Sequence, residues 1–485
     1  MVYKGGWNII PAAFFLLINF SASQVKGLFL LRLAFFLVLI GIFAACSRFR
    51  LEKLLAPASG GIALIVFAYG IVQKLVLFPL MLRQVHAGPS FYSQALAARA
   101  ASGRVFAIFA LPTLYAAVCG VLLLFIVHYL LAARGAARLF WILLFVLGSL
   151  NLVLTESFGG ILFFATAILF YLFVSRTFKA RYLAPLLMCL ALVLFAVTAL
   201  RFSEARRLSP LTLRFANWVQ AGRVIAAAPL LGVGLGNYEA AVPRQIRPGE
   251  PESIFAHNFF LQMAAEIGLP MFILLLVLYL PRLKRRLPEF CKAGNALFSS
   301  AALLLLLFNL FDVGSYFFAA GISLAVVLSQ VGNSGPRLQL RPRHVVAVAL
   351  PAALLLAHAV AVGRQQEGDL WLSRNEPGLA AGHYRAALKI EPFSYRSWLG
   401  LATIAWQSGE IGEAELALDK ALKIFPDQPY ANYLYSLVSW RQGALRTSLA
   451  HASRARAGNR KDKRYQRWHE HIQGVIAGKP ALPGN

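Results

Sequence analysis

An unusual group of side chains able to do chemistry lies in a polar stretch from Arg201 to Leu269. The stretch contains no lysine but seven arginines, which are Arg201, Arg206, Arg207, Arg214, Arg223, Arg244 and Arg247. A planar guanidinium can hold two phosphate oxygens through two parallel hydrogen bonds, which the ammonium group of lysine cannot do. This choice of cation indicates an anion-binding site, although contact with lipid head groups is an alternative that is favoured for Arg201, Arg206 and Arg207.

A histidine at the end of this stretch is the candidate for proton transfer. His257 opens the next apolar segment and is followed by Asn258. An imidazole can gain or lose a proton near neutral pH. A lone histidine is commonly structural, but the position beside the arginines favours a catalytic role here. On one continuous helix Glu266 would face roughly the opposite side, about two and a half turns away, so it is not assigned to the site.

A glycine-rich segment, Gly232 to Asn237, lies between Arg223 and Arg244. It follows a predicted helix and no βαβ unit surrounds it, so it is not a dinucleotide fingerprint. Its glycines allow a tight turn and a close approach of the backbone to another group. Gly234 and Gly236 are therefore candidates for substrate binding, with amides that an anion could use.

The elements that must position these residues are membrane helices. Hydrophobic residues make up 59% of the 485-residue chain, and the mean hydropathy is +0.65. Apolar runs near the roughly 20 residues that cross a bilayer predict eleven spans. They lie at about 7–22, 27–46, 59–82, 105–132, 138–155, 158–175, 182–200, 257–281, 295–312, 314–332 and 343–362. A twelfth span is possible within 105–132, which contains Pro112 and Gly120.

The connections between the predicted spans differ in charge. One set is rich in Lys and Arg, whereas the short loops of the other set carry Lys26, Glu156 and Asp312. Positive loops face the cytoplasm, which explains the net charge of +27 without nucleic acid. With the N-terminus in the cytoplasm, the segments 83–104 and 201–256 and everything after 362 lie outside the inner membrane. The four cysteines show neither metal-binding nor disulfide spacing.

An amphipathic helix is predicted at the start of the 201–256 loop. Ser209 and Pro210 resemble a helix start, and Pro229 is expected to end the helix. Apolar residues between them recur at three- and four-residue steps. Trp218 suits the interfacial layer of a membrane.

The residues after 362 change character and repeat with a period of 34. AALKIEP at 386–392 returns as KALKIFP at 420–426, and Gly409 corresponds to Gly443. This period predicts a helical domain of two or three tetratricopeptide-like repeats over 363–485, following a transmembrane domain over 1–362. The repeats either recruit protein partners or act as a spacer. Aromatic residues there, which are Trp398, Tyr430, Tyr433 and Tyr435, either line a groove or form the repeat core.

These motifs together resemble the O-antigen ligase and polymerase superfamily. The resemblance is carried by Arg214 and Trp218, by PLLGVGLGN at 229–237, and by AHN and EIG at 256–258 and 266–268. GRVFAIFALPT at 103–113 and LTESFGG at 154–160 are similar to two further family segments. The resemblance implies an all-α membrane protein of the GT-C type.

The resemblance also implies a reaction. The family transfers a glycan from undecaprenyl pyrophosphate to an acceptor hydroxyl at the periplasmic face, with inversion and without a metal or cofactor. His257 matches the essential histidine and Arg214 the arginine of the R-x-x-x-W motif, so both are expected to be catalytic. His257 would position the acceptor, deprotonate it or stabilise the leaving group, and the sequence does not separate these roles. Arg104, Arg223, Asn258 and Trp218 are expected to bind substrate, together with the two glycines. The expected acceptor is a saccharide or the lipid A-core, and the protein is expected to contact membrane lipids.

One departure from the family pattern leaves a second function open. Phe158 stands where the family often has an arginine after T-x-S, so one phosphate contact is missing or is supplied by Arg104 or Arg223. The alternative is a scaffold or transporter component of an exopolysaccharide assembly machine. Ligase and polymerase activities are not separated by the motifs.

Overall fold

The computed structural model describes residues 9–47, 51–85, 100–109, 111–177, 210–331 and 342–477. Its regular elements are all helical over these ranges, as the sequence predicts. The N-terminal helices are α1 Ile9–Ala22, α2 Lys26–Cys46, α3 Glu52–Val72, α4 Phe78–Val85, α5 Pro112–Ala132, α6 Gly135–Leu154 and α7 Phe158–Val174. They are followed by α8 Pro210–Ala227, α9 Phe259–Ile267, α10 Leu269–Phe290, α11 Ala296–Phe311, α12 Phe318–Gln330 and α13 Pro342–Ser373. The C-terminal helices are α14 Pro377–Ile390, α15 Tyr395–Gln407, α16 Ile411–Ile424, α17 Pro429–Arg441, α18 Leu445–Gly458 and α19 Lys463–Ile476.

Six of the described helical segments are long and apolar enough to cross a membrane. They are Lys26–Cys46, Pro57–Arg83, Pro112–Ala132, Gly135–Leu154, Ala293–Phe311 and Val348–Ser373. Three shorter apolar helices accompany them, at Phe158–Val174, Leu269–Pro281 and Ala319–Gln330. The chain is therefore a multi-span membrane protein. The predicted span at 182–200 lies outside the described residues.

Helix α5 forms the centre of the membrane domain. Its side chains are buried from Leu114 to Ala117 and again from Val121 to Ile126, and they pack against α6, α7 and α11. Side chains on the outer helices are exposed instead, among them Ile65 on α3 and Leu139 on α6. Such apolar surfaces fit a lipid environment, where exposure of leucine and isoleucine costs no hydration free energy.

Two predicted spans differ from the observed helices. The span predicted from 105 begins only at Pro112, and it is one continuous helix, so it contains no twelfth span. The span predicted over 257–281 is interrupted at Gly268, where α9 ends and α10 begins. Gly268 has a φ of 76°, a conformation that glycine adopts without steric cost. The expectation of one continuous helix from His257 through Glu266 to residue 281 is therefore wrong.

The described part of the 201–256 loop begins with α8. This helix runs to Ala227, and Pro229 follows it as predicted. Its inner face is buried against the rest of the loop through Ala221 and Val224. Trp218, Arg214 and Arg223 all project from α8.

The C-terminal repeats are joined to the membrane domain by one helix. Helix α13 crosses the predicted domain boundary at 362–363 without a break, packs on α2 at one end, and pairs with α14 at the other. The repeat period is visible in the backbone. Asn375, Gly409 and Gly443 lie at intervals of 34 residues, and all three have a positive φ, of 60°, 80° and 76° respectively. Alanines at the same period, Ala387, Ala421 and Ala455, are buried where helices touch.

The four aromatic residues singled out in the repeats have partners in the domain. Trp398 and Tyr435 pack against its apolar core. Tyr433 lies 5.1 Å from the ring of Tyr465 and 6.4 Å from that of Tyr430. These contacts favour the core alternative over a groove lined by aromatic residues.

Candidate functional site

The two residues expected to be catalytic meet on one buried carboxylate. Asp312 Oδ1 lies 2.9 Å from Nδ1 of His257, and Asp312 Oδ2 lies 2.9 Å from a terminal nitrogen of Arg214. The side chain of Asp312 is only 7% exposed, compared with 17% for His257 and 21% for Arg214. Arginine, carboxylate and imidazole therefore form a connected set at the surface of the membrane domain.

The end of α11 places the carboxylate. Asp312 has an extended backbone immediately after the helix, and a short 3-10 turn, Gly314–Tyr316, follows. Asn309 fixes this turn, because its side chain accepts a hydrogen bond from the Ser315 amide and donates one to the Ser315 hydroxyl. The Val313 amide also donates to Asp312 Oδ1.

The backbone of His257 is held in an unusual conformation. Its φ is 50°, a region that residues other than glycine rarely occupy. The indole Nε1 of Trp218 donates to the carbonyl oxygen of His257 at 3.2 Å, and the ring of Trp218 packs 5.8 Å from that of Phe311. Helix α8 thus supplies both a partner for Asp312 and a restraint on the histidine. Strained backbone of this kind is concentrated at functional sites.

Charge stabilises the ionised form of Asp312. Burial acts to raise the pKa of its carboxyl, but the hydrogen bond to His257 and the positive charge of Arg214 outweigh burial and hold the pKa below its usual range. An ionised carboxylate can only accept hydrogen bonds, so Nδ1 of His257 is the protonated ring nitrogen. In the neutral imidazole Nε2 then carries the lone pair that can take a proton.

Arg214 carries more donors than its contact with Asp312 uses. One terminal nitrogen contacts Asp312, whereas a guanidinium carries five N–H groups. Its other N–H groups have no acceptor among the residues that the structure describes. The Asp312 contact therefore orients the guanidinium while leaving it able to bind an anion.

A narrow cleft borders this cluster. It lies between the start of α5 and the segment 308–317, and its lining residues are Leu111, Thr113, Leu114, Ala117, Phe308, Asp312, Gly314 and Phe317. The Thr113 side chain lines the cleft together with Asp312 and acts to lower the pKa of that carboxyl. Asp312 therefore faces an apolar opening next to two membrane helices.

Arg104 lies in the segment that leads into α5. Its Nε donates to the carbonyl oxygen of Thr155 at 3.0 Å, and the neighbouring Val105 amide donates to Leu154. Gln73, in a π-helical turn after α3, accepts from the amides of Phe106 and Ala107. The two segments singled out near residues 103–113 and 154–160 are thus adjacent. Thr113, at the end of the first segment, lines the same cleft as Asp312.

Arg223 is engaged within its own loop. It binds both carboxylate oxygens of Glu250, at 2.8 and 2.7 Å, and also the carbonyl oxygen of Gln245. This hydrogen bonding lowers the pKa of Glu250 to about 2. Arg223 braces the fold of the loop, and its expected substrate contact stays a prediction.

Asn258 caps α9. Its side-chain oxygen accepts hydrogen bonds from the amides of Phe260 and Leu261, and its nitrogen donates to Leu310. An asparagine at this position stabilises the first turn of a helix. It also ties α9 to the end of α11, next to Asp312. Its contact with substrate stays a prediction.

The amides of the glycine-rich segment are not free. Val233 and Gly234 donate to the carbonyls of Ala265 and Glu266, Leu235 donates to Asn19, and Gly236 donates to the Glu266 carboxylate at 2.8 Å. The expectation of amides available to an anion is therefore wrong at these positions.

The glycines serve close packing. A Cβ atom on Gly234 would lie 2.2 Å from Oγ of Ser23, and one on Gly236 would lie 2.7 Å from the carbonyl oxygen of Leu28. Both residues have positive φ values. The close approach of this segment to Ser23 and Leu28 packs the loop that contains α8 against α1 and α2. Direct binding of substrate by either glycine stays a prediction.

Glu266, for which the sequence indicated no partner, is fully buried in the structure. It accepts hydrogen bonds from Gly236, Gln262 and the hydroxyl of Tyr316. Arg32 supplies a compensating charge, and its guanidinium stacks 3.3 Å from the centre of the Tyr316 ring. None of these partners is His257, so the structure agrees with the prediction that Glu266 does not belong to the same site as His257.

Comparison with known families follows the same division of the chain. Residues 142–276 match the O-antigen ligase family. Residues 366–429 and 399–463 match the tetratricopeptide repeat family. Both resemblances inferred from the motifs are thereby confirmed. No curated protein matches the chain.

The O-antigen ligase match includes Arg214, Trp218 and His257 but ends before Asp312. Sequence analysis placed Asp312 only in a short loop and missed its role. The available signal was an acidic residue at the end of an apolar helix, where a charge is costly without a partner.

Proposed function

We propose that this protein transfers a glycan from an undecaprenyl-pyrophosphate donor to an acceptor hydroxyl at the periplasmic face of the inner membrane. The contact of His257 and Arg214 with one carboxylate carries the proposal, since it joins a proton acceptor to an anion-binding cation. The O-antigen ligase family match supports glycan ligation as the reaction class. The periplasmic side is supported by the charge difference between loops.

In this proposal His257 is the general base. Asp312 holds its Nδ1 proton, and Nε2 accepts the proton of the acceptor hydroxyl as that oxygen attacks the anomeric carbon. Attack from the side opposite the leaving group inverts the anomeric centre. The bond between the sugar and the pyrophosphate oxygen breaks, and the lipid pyrophosphate leaves.

Arg214 offsets the charge that develops on the leaving pyrophosphate. N–H groups of Arg214 that do not contact Asp312 can donate to phosphate oxygens, while Asp312 fixes the plane of the guanidinium. Donors that are already oriented stabilise a transition state without reorganisation at the moment of reaction. The lipid tail would lie along the apolar surface of the membrane helices.

A non-catalytic scaffold is favoured by one feature, the phenylalanine at position 158. Phe158 begins α7, and its neighbour Ser157 caps that helix by accepting from the Gly160 amide. The first residue of this helix is therefore not an arginine, although Arg104 contacts Thr155 three residues before it. One substitution separates the two functions.

The test is His257→Ala in cells whose surface glycan is resolved on a gel. The matched control is His383→Ala, because His383 also contacts a carboxylate, Glu367 Oε2 at 2.9 Å, but lies in the repeat domain. We expect transfer to be lost in the first variant and retained in the second, at equal protein levels. Unchanged glycan in His257→Ala would reject the enzymatic function and leave the scaffold.

A further inference from the structure

The edge of the repeat array carries three ion pairs to the loop of the candidate site. Arg396 pairs with Glu239 at 3.2 Å, Asp427 with Arg244 at 2.7 Å, and Lys461 with Glu252 at 3.3 Å. A 3-10 turn of the loop, Val242–Gln245, also packs against α18. The contacts join parts of the chain that are distant in sequence.

The three repeat residues follow the architecture of the array. Asp427 and Lys461 are 34 residues apart, so they occupy equivalent positions in the turns that connect successive repeats. Arg396 belongs to the preceding repeat, three residues after its equivalent position. One charged contact is therefore made from each of three consecutive repeats, along one edge of the domain.

The loop follows this edge in the same order. Its residues 239, 244 and 252 meet 396, 427 and 461 in turn. Along the loop the three charges are negative, positive and negative. The residues that they contact on the array carry the opposite charges in the same order, which are positive, negative and positive. A shift by one repeat would place Glu239 opposite Asp427 and Arg244 opposite Lys461. Like charges in direct contact disfavour such a shift, so the charges specify the register.

The loop residues between these contacts reach α8. Lys461 also donates to the carbonyl oxygen of Glu250 at 3.0 Å, and the carboxylate of Glu250 holds Arg223. Arg223 lies nine residues after Arg214 on α8. A continuous series of contacts therefore links the repeats to the helix that bears Arg214 and Trp218.

We propose that the inter-repeat edge formed by Arg396, Asp427 and Lys461 is a docking surface for this chain's own loop, residues 238–252. By holding that loop, the repeat domain positions α8 for the reaction. The positioning role rests on the proposed function, whereas the docking surface does not. This edge of the array is then occupied intramolecularly and does not receive a separate protein.

Cross-linking in the full-length protein in membranes tests the register. The four native cysteines are replaced by alanine, and a short bis-maleimide is added to Glu252→Cys/Lys461→Cys. The matched control is Glu239→Cys/Lys461→Cys, which pairs the same array residue with the wrong end of the loop. We expect an intramolecular cross-link in the first pair alone. Equal yields in both pairs, or none in the first, would overturn the docking surface.

Charge reversal then tests the positioning role. Arg244→Asp should lower the yield of the first pair roughly two- to fivefold, because a partly exposed ion pair contributes little and like charges repel. Adding Asp427→Arg should restore it. Surface glycan should fall and recover in the same two variants carrying native cysteines. A lowered cross-link yield with unchanged glycan would refute the positioning role.

The two proposals fail in different ways. If glycan transfer proves independent of His257, the proposed function is lost while the cross-link register remains. If the register is absent but His257→Ala abolishes transfer, only the docking surface is lost.

Discussion

Nδ1 of His257 lies 2.9 Å from Oδ1 of Asp312, although the two residues are 55 positions apart, one just before α9 and the other just after α11. The second carboxylate oxygen holds Arg214. One buried acidic side chain thus sets the orientation of both groups that the proposed reaction requires. This geometry makes Asp312 a positioning residue and leads to the first prediction.

Asp312→Asn should reduce transfer roughly a hundredfold or more. The amide can present an oxygen to His257 or to Arg214, but without a negative charge it stabilises neither. We expect kcat to fall while KM changes little, because Asp312 contacts the catalytic groups and not the substrate. The measurement is transfer by purified protein with a lipid-linked glycan.

Glu413→Gln is the matched control for this variant, since Glu413 is an exposed acidic residue on the repeat helix α16. Wild-type kcat in Asp312→Asn would contradict the positioning role. The dependence of transfer on acidic pH provides a second check of this role. Because the pKa of Asp312 is held below its usual range, its contacts persist at neutral pH. They are lost only as the pH falls below the ordinary range of an aspartic acid.

Arg214→Lys should reduce transfer roughly 10- to 100-fold, which corresponds to the loss of one hydrogen bond to a charged group. Lysine keeps the positive charge and can still approach Asp312, but it cannot hold Asp312 and two phosphate oxygens in one plane. The measurement is again transfer by purified protein. Arg385→Lys, an exposed arginine of α14, is the control, and full activity in Arg214→Lys would show that only charge matters.

Trp218→Phe should reduce transfer roughly two- to tenfold, the value of a single neutral hydrogen bond. The substitution removes the N–H that restrains the carbonyl oxygen of His257 and keeps an aromatic ring beside Phe311. A loss of activity without a change in thermal stability would identify the restraint. A large fall in stability with proportional loss of activity would assign Trp218 to packing alone.

Much of the fold follows from local patterns. Apolar runs and the 34-residue period identify the membrane helices and the repeats, because both depend on side chains close in sequence. The break at Gly268 and the late start of α5 lie beside contacts between distant residues, such as Glu266 with Tyr316 and Phe106 with Gln73. Periodicity carries no signal for these. Arg214, Trp218 and His257 are recognisable by type and spacing, whereas Asp312 becomes part of the site only through the packing of α11 beside α8.

Gly234→Ala should destabilise the protein by roughly 2–4 kcal/mol. The new methyl group would meet both the Oγ and the Cα of Ser23, at 2.2 and 2.8 Å, and the φ of 98° is strained for alanine. The control is Gly222→Ala in α8, where nothing lies within 4 Å of the added atom. It should stabilise the helix by up to about 1 kcal/mol. Thermal unfolding of the detergent-solubilised protein measures both, and equal melting temperatures would contradict the close packing.

The pairing of Glu250 with Arg223 should make the loop's stability depend on pH. Hydrogen bonding to Arg223 lowers the pKa of Glu250 from 4.5 to about 2 in the folded protein. A carboxyl with a lowered pKa contributes its stabilisation fully above its unfolded value and loses it as the pH falls through the folded value. Glu250→Gln should therefore be less stable than the wild type from neutral pH down to about 4.5. The difference should be on the order of 1 kcal/mol, because the pair is partly exposed.

The difference should shrink as the pH approaches 2, since the wild-type carboxyl is then protonated as well. Protease cleavage within residues 238–252, followed at several pH values, reports this local stability better than global unfolding does. Glu289→Gln is the control, because Glu289 contacts Lys292 at the far end of α10, away from this loop. A difference between Glu250→Gln and the wild type that is independent of pH would show that the loop is held by packing and not by the carboxylate.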